Sequence, residues 1–153
     1  MPRLSLLKQA KATSLREKRH GQKYAHRALA ATVLDCHLLN DDNPIVHVDS
    51  LGKQATVFGS PWSGKTPCYR KESMTVGAFV RLEQAPQNEI EQERAAHAFA
   101  TLLPSCSCLK QNKEIYNAIV ATVTELATLA PVYHLKCLPD REATELCRKT
   151  VEG

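Results

Sequence analysis

The sequence predicts a mixed α/β fold in a single domain. Short β-prone runs and helical runs both occur, and they do not alternate strictly, so we expect the mixed (α+β) form of this class. A length of 153 residues suffices for one core, and the hydrophobic content of 43% is ordinary for a globular protein. The longest apolar stretches, such as 118–121, are far shorter than the roughly 20 residues of a membrane span.

The N-terminal 24 residues form a basic segment unlike the rest of the chain. From Met1 to Arg27 eight Lys or Arg face one acid (+7), whereas the remainder has twelve against fifteen (−3). We expect residues 1–24 to be a disordered leader and 25–153 to be the folded part. Nucleic-acid binding is the weaker interpretation, because Tyr24 is the only aromatic residue among these charges. Without an apolar core and cleavage site, the expected location is the cytoplasm.

The first predicted elements of the folded part are a helix and a short strand. The run 25–35 is rich in alanine and is typical of a helix. Residues 36–39 are expected to form a short buried strand. The following residues, 40–44, are turn formers that end in a proline, so regular structure must stop there.

A β-hairpin and a long loop are expected next. Ile45–Val48 and Gln54–Phe58 are β-prone runs separated by turn residues. The segment 59–74 reads as a long loop, and long ordered loops in compact domains are often functional. The strongest strand pattern of the chain follows at 76–82.

The C-terminal half predicts one strand, three helices and a short element whose type the pattern does not decide. A short element around Ile90 precedes a helix at 93–103. Asn112 is a suitable N-cap for the longest helix, 113–129, whose apolar residues recur on one face. A last strand at 131–137 precedes a final helix, in whose first turn the acids Asp140 and Glu142 lie near the positive end of the helix dipole.

The six cysteines predict reduced, structural thiols. No C-x-x-C pair occurs, and Cys106-Ser107-Cys108 is too tight for a zinc knuckle. Cys36, Cys137 and Cys147 lie in segments predicted as strand or helix, where a free thiol behaves as a small hydrophobic side chain.

The segment 59–66 matches the phosphate-loop pattern G-x-x-x-x-G-K-[ST]. Its candidate cofactor-binding residues are Gly59, Ser63, Gly64, Lys65 and Thr66. In that pattern backbone N–H groups hold phosphates, the lysine neutralises them and the hydroxyl binds magnesium, provided that a helix follows. Too few residues follow Thr66 before the next strand for such a helix. We therefore expect a loop that approaches a nucleotide held elsewhere, or else a tight loop packed around Trp62.

Asp41 and Asp42 are adjacent acids directly after a short hydrophobic strand. Magnesium favours carboxylate and phosphate oxygens as ligands, and a carboxylate can also act as general base toward a hydroxyl. The pair is therefore a candidate metal and catalytic site. The alternative is that Asn-Asp-Asp-Asn-Pro is simply a turn.

Four segments together resemble a group of small bacterial proteins related to HPr kinase and phosphoenolpyruvate carboxykinase. The segments are LLNDDNPIV (38–46), GSPWSGK (59–65), VGAFVRLEQ (76–84) and VYHLKCLPDREATELC (132–147). Their order and spacing are compatible with this group, which makes the resemblance more specific than any single motif. It covers the chain from about Val33 to the end.

The resemblance implies an HPr kinase/carboxykinase-like nucleotide-binding domain that lacks its first strands, with C-terminal helices packed on a mixed sheet. It implies ATP and Mg²⁺ as cofactors and places Asp41 and Asp42 at the metal and catalytic site. The phosphoacceptor would be a protein or a small molecule. The relatives carry a G-[ST]-P-W-[SC]-G loop downstream of their true phosphate loop, which agrees with the spacing argument against an autonomous phosphate loop at 59–66.

The sequence departs from this group where the true phosphate loop is expected. The relatives have G-x-G-K-[ST] upstream of the acidic pair, and the corresponding segment here, 20–24, reads His-Gly-Gln-Lys-Tyr. Lys23 keeps the lysine, but Gln22 replaces a glycine and Tyr24 replaces the small hydroxyl. We therefore predict an ATP-binding, kinase-like phosphotransferase-family protein with weakened or lost activity. The alternative is a non-enzymatic fold remnant or interaction module without nucleotide binding.

Overall fold

The computed structural model describes residues 39–40, 43–62, 70–107 and 111–153. Within these residues the strands are β1 (Ile45–Asp49), β2 (Gln54–Phe58), β3 (Ser73–Thr75), β4 (Phe79–Gln84), β5 (Glu89–Gln92) and β6 (Val132–Cys137). The helices are α1 (Ala95–Leu102), continued by a 3-10 turn at Leu103–Ser105, α2 (Lys113–Leu129) and α3 (Arg141–Glu152). The predicted mixed α/β class is confirmed. The predicted leader 1–24, helix 25–35 and all but the last residue of strand 36–39 lie outside the described residues.

The first sheet is an antiparallel meander with the order β1-β2-β3. Ile45 pairs with Phe58, and Val57 pairs with Met74 on the next strand. At the β1–β2 turn the Asp49 carboxylate accepts the N–H groups of Leu51 and Gly52, at 3.1 and 3.0 Å. This turn chemistry explains why the predicted hairpin forms.

Strand β3 corrects the prediction of an uninterrupted loop over 59–74. Ser73–Thr75 is only three residues long and carries little β-propensity of its own. It becomes a strand because it pairs with Thr56, Val57 and Phe58 of β2. A long-range partner of this kind leaves no local signal in the sequence.

The second sheet has the order β4-β6-β5, with β6 parallel to β4 and antiparallel to β5. After β4 the chain passes through β5, α1 and α2 before it returns in β6. A parallel pair such as β4 and β6 requires a long crossover of this kind. Strand β4 begins at Phe79, three residues later than the pattern predicted. Before it, the N–H of Val76 donates to the carbonyl of Ala55 in the first sheet, so this residue belongs to the junction between the sheets.

The main core lies between the first sheet, the start of the second and helices α1 and α2. Its members are buried apolar residues: Leu39, Ala55, Val57, Val76, Phe79, Ala98, Leu102, Val123, Leu126, Ala130 and Val132. Helix α2 supplies Val123 and Leu126 from the face that its periodicity predicted. No helix within the described residues is long and apolar enough to cross a membrane.

A smaller core lies between the second sheet and helix α3. It contains Val80, Leu135, Cys137, Ala143 and Cys147. Both cysteines are buried free thiols, as predicted. Burial raises the pKa of Cys137 to about 11 and that of Cys147 to about 12, so both stay protonated near neutral pH.

Helix α2 begins after its predicted cap, Asn112, and Asp140, expected near the positive end of helix α3, is the N-cap of that helix. The Asn112 side chain accepts the N–H of Ile115 at 3.1 Å, and the Asp140 carboxylate accepts that of Ala143 at 2.8 Å. Each bond satisfies a donor that the first turn leaves unpaired.

Candidate functional site

The best-defined polar feature near the predicted site is the side-chain amide of Asn40. This side chain is buried, with 4% of the residue exposed. Its Nδ2 donates to the carbonyl of Trp62 at 2.7 Å and approaches Ser60 at two atoms, Oγ at 3.1 Å and the carbonyl oxygen at 3.3 Å. Its Oδ1 accepts the N–H of Asn43 at 2.8 Å. We call this set of contacts the Asn40 link.

The orientation of the Asn40 amide follows from its neighbours. Carbonyl oxygens of Ser60 and Trp62 can only accept hydrogen bonds, so the amide nitrogen must face them. The N–H of Asn43 can only donate, so the amide oxygen must face it. The two ends of one side chain therefore have different partners: the oxygen accepts the N–H of Asn43, and the nitrogen donates to residues 60–62.

Ser60 completes the Asn40 link from the other side. It is 2% exposed, and its hydroxyl donates to the Trp62 carbonyl at 3.2 Å. Buried polar groups without partners are costly, and here the contacts between Asn40, Ser60 and Trp62 satisfy one another. The link is therefore a stable joint between two segments that are twenty residues apart in sequence.

These two segments are the ones that carry the predicted site residues. Asp41 and Asp42 lie between Asn40 and Asn43 in the sequence, and the residues Ser63, Gly64, Lys65 and Thr66 follow Trp62. These six residues and Lys23 lie outside the described part of the chain. Of the predicted site residues the structure therefore describes Gly59 alone, together with the neighbours of the others. The described residues contain no cluster of three or more His, Cys, Asp or Glu suited to a metal ion.

Gly59 is a glycine because two backbone segments meet there. A Cβ at this position would overlap the carbonyl oxygen of Arg70. The N–H of Gly59 donates to the carbonyl of Glu72 at 3.0 Å, just beyond the paired residues Phe58 and Ser73. Gly59 thus closes the base of the connection between β2 and β3.

The connection between β2 and β3 joins two neighbouring antiparallel strands. Strand β3 returns antiparallel to β2 from Ser73, whereas a phosphate loop leads from a strand into a helix. This topology agrees with the expectation that 59–66 is not an autonomous phosphate loop. The topology is compatible with the other expectation, that this segment approaches a nucleotide bound by another part of the chain.

Trp62 does not form the centre of a packed loop. The residue is 59% exposed, and its backbone carbonyl rather than its ring makes the contact with Asn40. The exposure of Trp62 does not support the alternative of a tight loop packed around it, but most of that loop lies outside the described residues. Near the other end of the loop, Arg70 and Glu72 form an exposed ion pair at 3.6 Å, which contributes little stability.

A second concentration of charge lies on the second sheet, away from the Asn40 link. Arg81 and Glu83 are 3.8 Å apart, and Lys136 and Glu89 are 4.0 Å apart. All four side chains are more than 40% exposed. Exposed pairs of this kind are typical of a solvated sheet face.

Asn40 and Ser60 were not among the site residues that the sequence indicated. Asn40 belongs to the run of turn-forming residues at 40–44, and Ser60 occupies a variable position of the phosphate-loop pattern at 59–66. The only available signal was that each borders a candidate motif. Their pairing depends on the approach of two distant segments, which no local pattern encodes.

Comparison of the chain with models of known protein families, with curated proteins and with solved structures finds no match.

Proposed function

We propose that this protein is an ATP-binding, kinase-like protein of the phosphotransferase type, with weakened or lost catalysis. In this proposal Asp41 and Asp42 bind the Mg²⁺ of a magnesium–nucleotide complex, and Lys65 approaches its phosphates. One observation carries the proposal: the buried amide of Asn40 joins the segment that bears the acids to the segment that bears the lysine.

The joint matters because a magnesium–nucleotide complex needs both kinds of group. Mg²⁺ is usually held by one or two carboxylates and by phosphate oxygens, and the remaining phosphate charge requires a cation. Asp41 follows Asn40 directly, and Lys65 is the third residue after Trp62. A ligand the size of a nucleotide could therefore engage both segments at once.

The weakened activity follows from the chemistry of phosphoryl transfer. Catalysis of that reaction depends on positioning and on charge stabilisation, which a complete phosphate loop provides. Only seven residues separate Lys65 from β3, which returns antiparallel to β2 at Ser73, so there is little room for a helix that begins after Lys65. The upstream segment around Lys23 has Gln22 and Tyr24 where the pattern needs glycine and a small hydroxyl.

The test is thermal unfolding with and without Mg-ATP, for the wild type, Asp42→Ala and a matched control, Glu91→Ala. Glu91 is an exposed acid on β5, so its replacement removes the same charge away from the Asn40 link. At a ligand concentration of about 100 Kd, binding adds about 2.7 kcal/mol to the free energy of unfolding. We expect this shift in the wild type and the control, and its loss in Asp42→Ala. An equal shift in all three proteins would place the nucleotide elsewhere.

A non-enzymatic scaffold is the second candidate, and one observation favours it. Asn40, Ser60 and Gly59 all have intramolecular roles, so these residues near the motifs are explained without a ligand. This candidate predicts that Mg-ATP leaves the melting temperature of the wild type unchanged. The same experiment therefore decides between the two.

A further inference from the structure

We propose that the outer face of the first sheet binds single-stranded nucleic acid, with Phe58 and Trp62 as the residues on which bases stack. This inference goes beyond the proposed function and does not depend on the binding of Mg-ATP. It starts from hydrophobic side chains that the fold leaves in contact with solvent. Three of the six large hydrophobic side chains that are exposed in the described residues are Ile45, Phe58 and Trp62, which we call the exposed patch.

Strand pairing and chain length bring the exposed patch together. Ile45 and Phe58 are direct partners on β1 and β2, and they are 49% and 38% exposed. Because side chains alternate along a strand, their neighbours Val46 and Val57 lie on the opposite face and pack in the main core. Trp62 follows Phe58 by four residues, which limits the separation of their Cα atoms to about 14 Å.

The backbone that carries the Trp62 ring is held in place, whereas the residue itself is 59% exposed. The carbonyl of Trp62 accepts the Asn40 amide at 2.7 Å and the Ser60 hydroxyl at 3.2 Å, and both of these residues are buried. An exposed ring on an anchored backbone loses little conformational freedom when a ligand binds. This arrangement therefore favours a role of Trp62 in recognition.

The rest of the outer face is polar and almost free of acids. Its other side chains are those of His47, Gln54, Thr56, Ser73 and Thr75. Asp49 is the only acid in these three strands, and it lies at the end of β1 opposite to Ile45. Its carboxylate accepts two N–H groups of the β1–β2 turn. A face of this composition offers little repulsion to phosphate groups.

Two exposed cations, Arg70 and Lys71, lie close to the exposed patch. They directly precede Glu72, whose carbonyl accepts the N–H of Gly59, the residue after Phe58. The ion pair of Arg70 with Glu72 is exposed and spans 3.6 Å, so it contributes little stability. A phosphate group can therefore compete for the guanidinium.

Exposed aromatic rings beside cations favour single-stranded nucleic acid as the partner. Its bases stack on aromatic side chains, and its phosphates attract lysine and arginine. Residues 1–27 add a charge of +7 to the chain, which favours association with a polyanion. The sequence alone disfavours nucleic acid, because Tyr24 is the only aromatic residue among those charges. Phe58 and Trp62 supply exposed rings from the folded part.

The experiment measures by fluorescence anisotropy the Kd of labelled oligothymidylate and oligouridylate, each of about 12 nucleotides. The proteins are the wild type, Trp62→Ala, Trp62→Phe, Phe58→Ala and the control Ile115→Ala. Ile115 is 42% exposed on helix α2, so its replacement removes a similar apolar surface elsewhere. We expect Trp62→Ala and Phe58→Ala to bind about 5- to 150-fold more weakly, and Trp62→Phe and Ile115→Ala to bind within about threefold of the wild type. The ratio of the two Kd values shows whether the 2′-hydroxyl contributes.

Salt dependence and fluorescence provide two further readouts. Each phosphate contact on a single strand contributes about 0.7 to the slope of log K against log salt concentration. We expect Lys71→Gln to lower the magnitude of this slope by about 0.7, and Lys149→Gln on helix α3 to leave it unchanged. Trp62 is the single tryptophan of the chain, so a base that stacks on it should quench the fluorescence of the wild type.

Three outcomes would overturn the inference. The first is no binding by the wild type at about 50 mM salt. The second is equal affinity of the wild type and Trp62→Ala without quenching of Trp62, since the basic N-terminal segment would then bind alone. The third is a wild-type dimer that Phe58→Ala converts to a monomer and that binds no oligonucleotide, which would assign the exposed patch to a second copy of the chain. Circular dichroism checks that each variant is folded, and quenching in the wild type decides the role of Trp62 even if Trp62→Ala unfolds.

Discussion

Replacement of Gly59 by alanine distinguishes two reasons for a glycine at the start of the segment 59–66. If the residue is needed only to let phosphate approach the backbone, the free protein should tolerate a methyl group. The structure indicates the opposite, because the added Cβ would overlap the Arg70 carbonyl oxygen. We therefore expect Gly59→Ala to destabilise the protein in the absence of any nucleotide.

The magnitude follows from two costs at the base of the β2–β3 connection. Inserting a methyl group into a space without room costs typically 1–3 kcal/mol, that is, about 2 kcal/mol here. Separating the two segments also weakens the bond from the Gly59 N–H to the Glu72 carbonyl, which contributes about 1 kcal/mol net. The expected loss is about 3 kcal/mol of a free energy of unfolding that is usually about 5–15 kcal/mol for a small domain.

Urea unfolding without nucleotide measures this loss. With an m-value of about 2 kcal/mol/M, a loss of about 3 kcal/mol lowers the midpoint by about 1.5 M. Gly153→Ala is the control, since a Cβ there would lie 3.4 Å from the nearest atom, the Thr150 carbonyl oxygen, at the C-terminus. If the urea midpoint of Gly59→Ala lay within about 0.3 M of the wild-type midpoint, the packing argument would be refuted. Ligand binding would then be the remaining reason for a glycine at this position.

Two further predictions concern helix α3 and the core beneath it. Asp140→Ala should lower the free energy of unfolding by about 1–2 kcal/mol, because it removes both the cap on the Ala143 N–H and the acceptor for Asn88; an unchanged melting temperature would contradict this. Cys147 has a pKa raised from 9.0 to about 12, so the folded protein holds the thiol proton more tightly than the unfolded chain. The stability that this provides is complete below pH 9 and is lost as pH rises from 9 toward 12. Urea unfolding at pH 8 and pH 10 should show a smaller decline in Cys147→Ala than in the wild type, and an equal decline would be evidence against the burial argument.

The match to a phosphate-loop pattern shows why a motif needs its structural context. The sequence of 59–66 fits the pattern in full, yet the chain enters this segment from β2 and returns at Ser73 in β3, the antiparallel partner of β2. A helix N-terminus supplies much of the attraction for phosphate at such loops, through unpaired N–H groups and the helix dipole. The short spacing to the next strand is the sequence observation that argues against such a helix here.

The Asn40 link gives the two candidate motifs a physical relation that their sequence positions alone do not. Each motif is individually compatible with a plain turn or a plain loop. The buried amide of Asn40 brings together residues that border the two motifs in the sequence, Asn43 on one side and Ser60 and Trp62 on the other. The proposed function requires that Mg-ATP bind to the two motifs, at Asp41 and Asp42 and at Lys65.

The sequence by itself determined the elements whose signals are local. Helix α2 begins and ends where its cap and its apolar period predicted, because Asn112 and the face with Val123 and Leu126 act within a few turns. The same holds for the β1–β2 hairpin and for the burial of Cys137 and Cys147, where hydrophobic pattern and turn chemistry are sufficient.

Only the tertiary structure decided which distant segments meet. Strand β3 exists because β2 pairs with it, and Gly59 is required because Arg70 passes close by. Asn40 is a joint and not merely a turn residue, because the fold brings Ser60 and Trp62 within hydrogen-bonding distance of its amide. The physical reason is the same in each case: the energy of these contacts depends on pairs of residues far apart in the chain, whereas a local pattern reports only on neighbours.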